Sequence, residues 1–315
     1  MTGYRYEIRY GKHGVPVYRV HAKPLSGVRP IPESPYTGRS NEVFALDVDM
    51  DVLGDEFLPA FTRGDNSLVV ATDSMKNFII RQALDYDGAT LEGFLAFVGR
   101  RFIPTYPQVR RVRLTGRELP FIAAQAPVGS GRFAPSEVLF ARSRDDYATA
   151  TLTVAAIDGD VAVTDHRCGR VGMQLMKTTG SSFTSFVRDG YTTLPERRDR
   201  PLFIYLDVHW RYAEAVDALG DEPARYVPAE QVRDCVATVF HEFVSESIQH
   251  LVHEMGGRLL ARFPQLTEIS FAAQNRTRDP FGESADDERV KVYSDPFSAY
   301  GLISLTMARE RDPSS

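Results

Sequence analysis

The segment LEGFLAFVGRRFIPTYPQVRRVRL, residues 91–114, lies without a gap over IQHLVHEMGGRLLARFPQLTEISF, residues 248–271. The two stretches are 157 residues apart, half of a 315-residue chain, so one structural plan must serve both halves. Gly99 meets Gly256, Arg101 meets Arg258, and Pro107-Gln108 meets Pro264-Gln265, while Phe94/Leu251, Val98/Met255 and Val112/Ile269 are apolar in both copies. In each copy apolar residues recur at helical spacing and then, past the proline, at spacing two. Each therefore reads as a helix feeding a strand.

Upstream of each copy stand another helix and an alternating strand. Phe44, Leu46, Val48, Met50 and Val52 alternate with Ala45, Asp47, Asp49 and Asp51; in the second half Leu202, Ile204, Leu206, Val208 and Trp210 alternate with Tyr205, Asp207, His209 and Arg211. Such strands are buried on one face and polar on the other. Helices are expected over about Ser74 to Leu84 and Ala229 to Val244, with Ser245 or Ser247 capping the next helix. The closing strands are expected at Arg110 to Leu114 and about Val138 to Ala141, and at Thr267 to Phe271 and Tyr300 to Met307. Ala22 to Ser40 and Pro127 to Pro135 read as loops. The pattern predicts an α+β fold with antiparallel sheets and helices on one face, open edges that favour an oligomer, and a boundary near residue 150 that divides 1–150 from 151–315.

Composition narrows the class. With 43% hydrophobic and 25% charged residues and no run approaching the ~18 to 20 apolar residues of a membrane span, the chain reads as an ordinary globular protein. Its 37 Lys plus Arg against 42 Asp plus Glu leave a net charge of -5, with no surplus for general nucleic-acid affinity, so a small-molecule partner is expected. Cys168 and Cys235 are too few for a disulfide framework or a four-Cys zinc site. The polar start MTGYRYEIRYGK does not read as a secretory signal, and MARERDPSS is not a peroxisomal tail; a cytoplasmic setting is expected.

Several familiar motifs fail on inspection. Asp47-x-Asp49-x-Asp51 has Val52 where a calcium loop needs Gly, and reads as a solvated strand face. His241-Glu242 meets Ser245 where a zinc helix needs its second His, and His250 and His253 fall opposite the stripe Ile248, Leu251, Val252, Met255 and Leu259. Gly129-Ser130-Gly131 lacks the rest of a phosphate loop. No metal or nucleotide cofactor is indicated.

The segment FTRGDNSLVVATDSMKNFII, residues 61–80, gathers Asn66, Thr72, Asp73 and Asn77 where a strand turns into a helix. Taken singly, Thr72, Asp73 or Ser74 reads as an N-cap. The whole string resembles a signature of the urate oxidase (uricase) family, DNS-x-VVATDS-x-KN. The resemblance continues, in the family's order, through RYGKHGVPVYRV (9–20), SSFTSFVRDGYTTLPERRDR (181–200) and SIQHLVHEM (247–255). It implies two tandem T-fold (tunnelling fold) domains, each a four-stranded antiparallel sheet with two helices on one face, assembling into a barrel-like homotetramer.

The resemblance also implies oxidation of urate by O2 to 5-hydroxyisourate and H2O2 without cofactor. Lys12 and Thr72 would form the catalytic dyad and Asp73 would contact the purine through its backbone. Phe183 would stack on the ring, Arg200 and Gln249 would clamp its edges, Ile248 would offer a backbone group, and Asn275 would sit beside the O2 position. Lys12 and Thr72 would face the other group across a subunit interface. A guanidinium fork and a carboxamide suit an anion with alternating N–H and C=O groups. A Lys at its reference pKa of ~10.4 needs roughly 4 to 5 kcal/mol to stand neutral at pH 7, so Lys12 as base requires burial or a nearby cation. Where the family reads Asn-Lys-His this chain reads Asn275-Arg276-Thr277, so Thr277 replaces a titratable group, for which His13 is one substitute; Arg198, beside Asp199, is a second departure. Two other readings are a purine-binding or assembly protein with little turnover, and a pterin-handling T-fold enzyme. The latter needs a buried Glu anchor and often zinc, neither of which is evident in the sequence.

Overall fold

Period-two alternation sets the central strands, because each turns one row of side chains to a core and the other away from it. Phe44, Leu46, Val48, Met50 and Val52, and likewise Leu202, Ile204, Leu206, Val208 and Trp210, are all 3% exposed or less. The structure, a computed structural model, describes residues 4–276, 278–294 and 298–310. In chain order the elements are β1 (Arg9–Val20), β2 (Val43–Leu53), α1 (Leu58–Arg63), α2 (Thr72–Asp85), α3 (Leu91–Thr105), β3 (Arg111–Glu118), β4 (Phe121–Pro127), β5 (Phe133–Arg142) and β6 (Tyr147–Ile157). They continue with β7 (Asp160–Lys177), β8 (Leu202–Tyr212), α4 (Ala229–Glu242), α5 (Ile248–Arg262), β9 (Leu266–Asn275), β10 (Asp279–Glu283), β11 (Lys291–Ser294) and β12 (Gly301–Ala308).

The chain packs as two compact units. The first comprises residues up to Pro30, Tyr36–Cys168 and Tyr212–Val227; the second comprises Ile31–Pro35, Gly169–Arg211 and Pro228 onward. In the first, β1, β2, β3 and β6 lie in that order as antiparallel neighbours, with Val48 opposite both Val15 and Gly116. α2 packs on β1, and α3 on β3 and β6. In the second, the closing part of β7 is followed by β8, β9 and β12, with Asn275 opposite Gly301. α5 packs on β9 and β12, and α4 on α5. β1 and β12 each have a single strand neighbour among the described residues, so an edge is open in each unit.

The duplicated glycines mark where helix and sheet come closest. A methyl group on Gly99 would stand 2.7 Å from Val154 Cγ2 and 3.1 Å from Leu114 Cδ1; one on Gly256 would stand 2.4 Å from Met307 Sδ and 3.2 Å from Phe271 Cε2. Leu114 and Phe271 are themselves 157 residues apart, so the same contact is built twice. The caps repeat as well: Thr90 Oγ1 accepts from Gly93 N, and Ser247 Oγ from His250 N, both at 3.1 Å. Ser247, rather than Ser245, caps α5.

Two expectations are corrected, and the compact units are then set beside the sequence repeats. The closing strand of the first half is β6, not Val138 to Ala141, which lies in a separate hairpin of β4 and β5. Val138 is 91% exposed, so its apolar run signals no core, whereas β6 buries the small residues Ala148 and Ala150 beside Leu152 and Val154 and alternates them with threonines. The Pro127 to Pro135 loop narrows to 128–132, since its flanks pair across the hairpin. The compact units part between Cys168 and Gly169, inside β7, because that long strand serves both; residue 150 falls within β6.

One buried charge stands out in the first unit. Glu92, in the first turn of α3, is 3% exposed, and its Oε2 accepts the Tyr226 hydroxyl at 3.0 Å. Burial pushes its carboxyl up to about 7, against the pull of that hydrogen bond and of Arg39. The unfolded carboxyl ionises at its ordinary value near 4.5, so its contribution to stability is full below that pH and is lost as pH rises through about 7. Glu92→Gln should therefore gain on the wild type by on the order of 3 kcal/mol between acid and mildly alkaline pH. Urea titrations at pH 4.5 and pH 8 check this, and an equal difference at both would refute it.

Candidate active site

The first group of candidate residues is built where β1 meets the start of α2. The register of β1 on β2 shifts between Lys12 and Val15. Gly14, at φ 65°, takes the left-handed conformation there and donates its N–H to Asp49 Oδ1 at 2.8 Å. The second copy repeats the device: Gly172, at φ 77°, donates to Asp207 Oδ1 at 2.8 Å. Two members of the acidic series on β2, Asp49 and Asp51, are thus paired rather than simply solvated. Asp49 also receives Arg117 at 2.6 and 2.9 Å, and Asp51 Oδ1 lies 2.9 Å from His13 Nε2.

Thr72 is the first residue of α2, yet the helix is capped by Ala71 with no side-chain hydrogen bond. The N-cap reading of this polar cluster therefore fails. Asp73 accepts from Lys76 Nζ at 2.6 Å and Asn77 Nδ2 at 2.9 Å. The Lys76 hydrogen bond and charge hold its carboxyl below the ordinary range, and Lys12 lends a smaller pull, so Lys12 lies within electrostatic reach of this helix start. Nothing in the sequence marks Tyr10, an ordinary strand aromatic, yet its hydroxyl accepts Val70 N–H at 3.0 Å and its ring meets Phe57 edge-on at 5.2 Å. Tyr10 thereby ties the loop before Thr72 to the strand that carries Lys12.

The second group lies in the second unit. After β7 the chain runs irregularly to Pro201, and its backbone is pinned at a few points: Phe183 and Arg197 exchange N–H···O bonds of 2.8 and 3.1 Å, Arg200 N donates to Ser181 O at 2.8 Å, and Ser182 N donates to Ser245 O at 2.8 Å. Arg200 Cζ sits 5.4 Å from the centre of the Phe183 ring, and Phe186 stacks on that ring at 4.8 Å and 12°. Ile248 is buried at the start of α5, and Gln249 beside it is exposed. Asn275 ends β9 with a buried Oδ1 that has no hydrogen-bond partner among the described residues. Arg200 and Asn275 share a cavity of about 780 Å³, lined also by Asp199, Phe203, Arg278 and Tyr293; Phe183 and Gln249 are not among its lining residues. Thr277 lies outside the described residues. Arg276 stacks on Tyr205 at 4.7 Å and Tyr300 at 4.1 Å.

Lys12, Thr72 and Asp73 thus belong to the first unit, and Phe183, Arg200, Ile248, Gln249 and Asn275 to the second. A larger cleft of about 1060 Å³ in the first unit runs along Arg110, Arg111 and Glu56 and includes none of the candidates. Among the described residues no cluster of three or more His, Cys, Asp or Glu is arranged to hold a metal, and no helix is long and apolar enough to cross a membrane. His241, His250 and His253 are exposed.

Antiparallel sheets backed by helices define an α+β protein, and in its second unit Arg200 lies against the Phe183 ring and lines a cavity with Asn275. A family model described as uricase matches residues 166–303. The uric acid degradation bifunctional protein of Bacillus sp. (strain TB-90) is 47% identical over 305 residues, which cover 96% of this chain; the chain spans 61% of that longer relative. The uricase of Haloferax volcanii is 46% identical, with 96% of this chain and 98% of the relative covered. The crystal structure of Bacillus sp. TB-90 urate oxidase superposes with a TM-score of 0.93 at 46% identity, over 96% of this chain and all of that one. The chain belongs to the uricase family.

Tyr10→Phe removes the acceptor for Val70 N–H and should cost about 1 kcal/mol while freeing the loop before Thr72. Faster amide exchange at Val70 with little change at Val112 is the expected result; unchanged protection would show that Tyr10 does not hold this loop.

Proposed function

We propose that this chain is a urate oxidase, converting urate, O2 and water to 5-hydroxyisourate and H2O2 without metal or organic cofactor. The observation that carries the reading is the second unit's Arg200, which lies against the Phe183 ring and lines a cavity together with Asn275, in a chain 46% identical to a uricase over nearly the full length of both. Arg200 presents parallel N–H donors to the edge of the anion, Gln249 donates and accepts on the opposite edge, and Phe183 covers a face. An incoming ring competes with Phe186 for Phe183, so binding exchanges one aromatic stack for another. Asn275 Oδ1, buried and unsatisfied among the described residues, is available to a ligand beside the ring. Lys12 takes a proton from urate, Thr72 relays it, and the resulting electron-rich dianion reduces O2; the protein's part is to orient the anion and exclude water.

In this reading the two repeats, divided in the sequence as 1–150 and 151–315, are tandem T-fold domains whose sheets are β1–β2–β3–β6 and β7–β8–β9–β12, with β6 running past residue 150 to close the first. The open edges of β1 and β12 join copies into a barrel-like homotetramer, in which Lys12, Thr72 and Asp73 of one subunit complete the site of a neighbour, and the enzyme works in the cytoplasm. The pterin reading has a specific observation against it. The buried carboxylate that such an enzyme would use as an anchor, Glu92, is already engaged by Tyr226.

Metal-stripped protein should consume urate, followed by loss of its ultraviolet absorbance, with O2 uptake and H2O2 in equal amount. Thr72→Ala and Arg200→Ala chains, each nearly inactive at low urate concentration, should recover activity when refolded together, because some interfaces then carry both intact halves. Mixed oligomers that form and stay inactive would refute the shared site. Thr277→His should raise kcat/KM near pH 7 more than near pH 9, since an imidazole titrating near ~6.5 can pass protons that a hydroxyl only relays. A wild type already fastest near neutrality, and slowed by this change at every pH, would show that Thr277 is not where the family's proton relay belongs.

A further inference from the structure

Arg200 needs a fixed backbone if its guanidinium is to meet a planar anion edge-on, yet it stands at the end of an irregular stretch that begins after Lys177. Three strand-like contacts hold that stretch, and a side chain closes it. Asp199 Oδ1 accepts Gly180 N–H at 2.8 Å and its Oδ2 accepts the Thr179 hydroxyl at 2.6 Å. One carboxylate thus spans the exit of β7 and the residue next to Arg200. On the same turn Arg200 N donates to Ser181 O, Ser182 N to Ser245 O, and Ser245 N at 3.3 Å to Gly180 O. The carboxylate therefore anchors the turn that leads to Phe183, three residues after Gly180, and that reaches the corner from which Ile248 and Gln249 arise.

Charge is arranged around the same turn. Lys177 Nζ donates to the carbonyls of Phe240 and Phe243 at 3.3 and 2.8 Å, capping the carboxyl end of α4, and it feels the charge of Asp199. The Thr179 hydrogen bond, with smaller help from the Gly180 and Ser181 amides, lowers the Asp199 carboxyl from its ordinary value against the effect of burial, so it keeps both acceptors at working pH. Gly180, at φ 76°, takes the left-handed conformation that presents its N–H to Oδ1. Asp199 does not point to a role in proton transfer, since both its oxygens are already engaged.

We infer that Asp199 is a positioning residue: through Thr179 and Gly180 it fixes Arg200 and Phe183 in the relative placement that binds the planar anion. The inference rests on the proposal that Arg200 holds urate, and it adds a residue that the sequence presents only as an acid beside a surface arginine.

The test is a double-mutant cycle on the full-length protein with urate as substrate. Asp199→Ala should raise KM at least tenfold, with a smaller fall in kcat, while Asp199→Asn, which keeps an acceptor but not the charge, recovers part of the loss. Asp199→Ala/Arg200→Ala should be no worse than Arg200→Ala alone, because the carboxylate acts through the arginine. Thr179→Val, which removes one arm of the contact, should raise KM in the same direction; it and Asp199→Asn carry the test if Asp199→Ala does not fold. Equal losses from Asp199→Ala with and without Arg200, or a lower melting temperature with KM unchanged, would overturn the inference. Failure of the underlying reading looks different: the wild type would not consume urate, or Arg200→Ala would leave KM unaltered.

Discussion

The contact on which the rest of the structure depends is the close approach of a helix to its sheet at Gly99 and again at Gly256. There is no room for a methyl group at either place without displacing Val154 or Met307, so α3 and α5 lie at a depth set by the absence of a side chain. That depth fixes where each helix begins. The helix starts bear Thr90 and Ser247 as caps, and two residues later Glu92 and Gln249. The first strands repeat as faithfully, each interrupted by a left-handed glycine whose amide is caught by an aspartate of the next strand. Candidate site residues thus stand on the most reproducible parts of the fold, apart from the irregular stretch that carries Phe183 and Arg200.

Much of this was legible in the residues. The 157-residue repeat, the alternation in β2 and β8, and the apolar stripe of α5 each express a single geometric rule with buried consequences, and the observed burial follows them. Legibility failed where apolar character and burial part company. Val138 and Leu139 look like core and are exposed in a hairpin, while β6 conceals its role behind alanine and threonine, which carry little hydrophobic signal. The boundary between compact units was unreadable for a related reason: one continuous strand, β7, contributes to both, and no change of composition marks the crossing.

For the site, the sequence offered the identity of the groups but not what holds them. Thr72 read as a cap in isolation, and the structure leaves the capping position to Ala71. Asp47, Asp49 and Asp51 read as solvated, yet Asp49 is bonded to an amide and an arginine from distant strands. Tyr10, Asp199 and Lys177 carry no local signature because their partners, backbone atoms and for Asp199 also the Thr179 hydroxyl, lie 60, 19 to 20, and 63 to 66 residues away, which no pattern of neighbouring residue types encodes.

Glu92 and Gln249 occupy the same place in the two copies, and the difference between them is one of solvent. Gln249 is exposed, whereas Glu92 is sealed under a tyrosine and held as a carboxyl that ionises only near neutrality. A similar divergence separates Lys12, half-exposed, from Arg170, 2% exposed, 158 residues on. Each pair thus has one member open to solvent and one sealed in the interior, and the open member lies in the second copy for Gln249 but in the first for Lys12. The open member can change its polar groups as long as water or a ligand satisfies them, while the sealed one needs its donors and acceptors matched inside the protein. A duplicated chain of this kind shares its wet positions between the two copies, so neither copy alone holds all the polar groups that a ligand can reach.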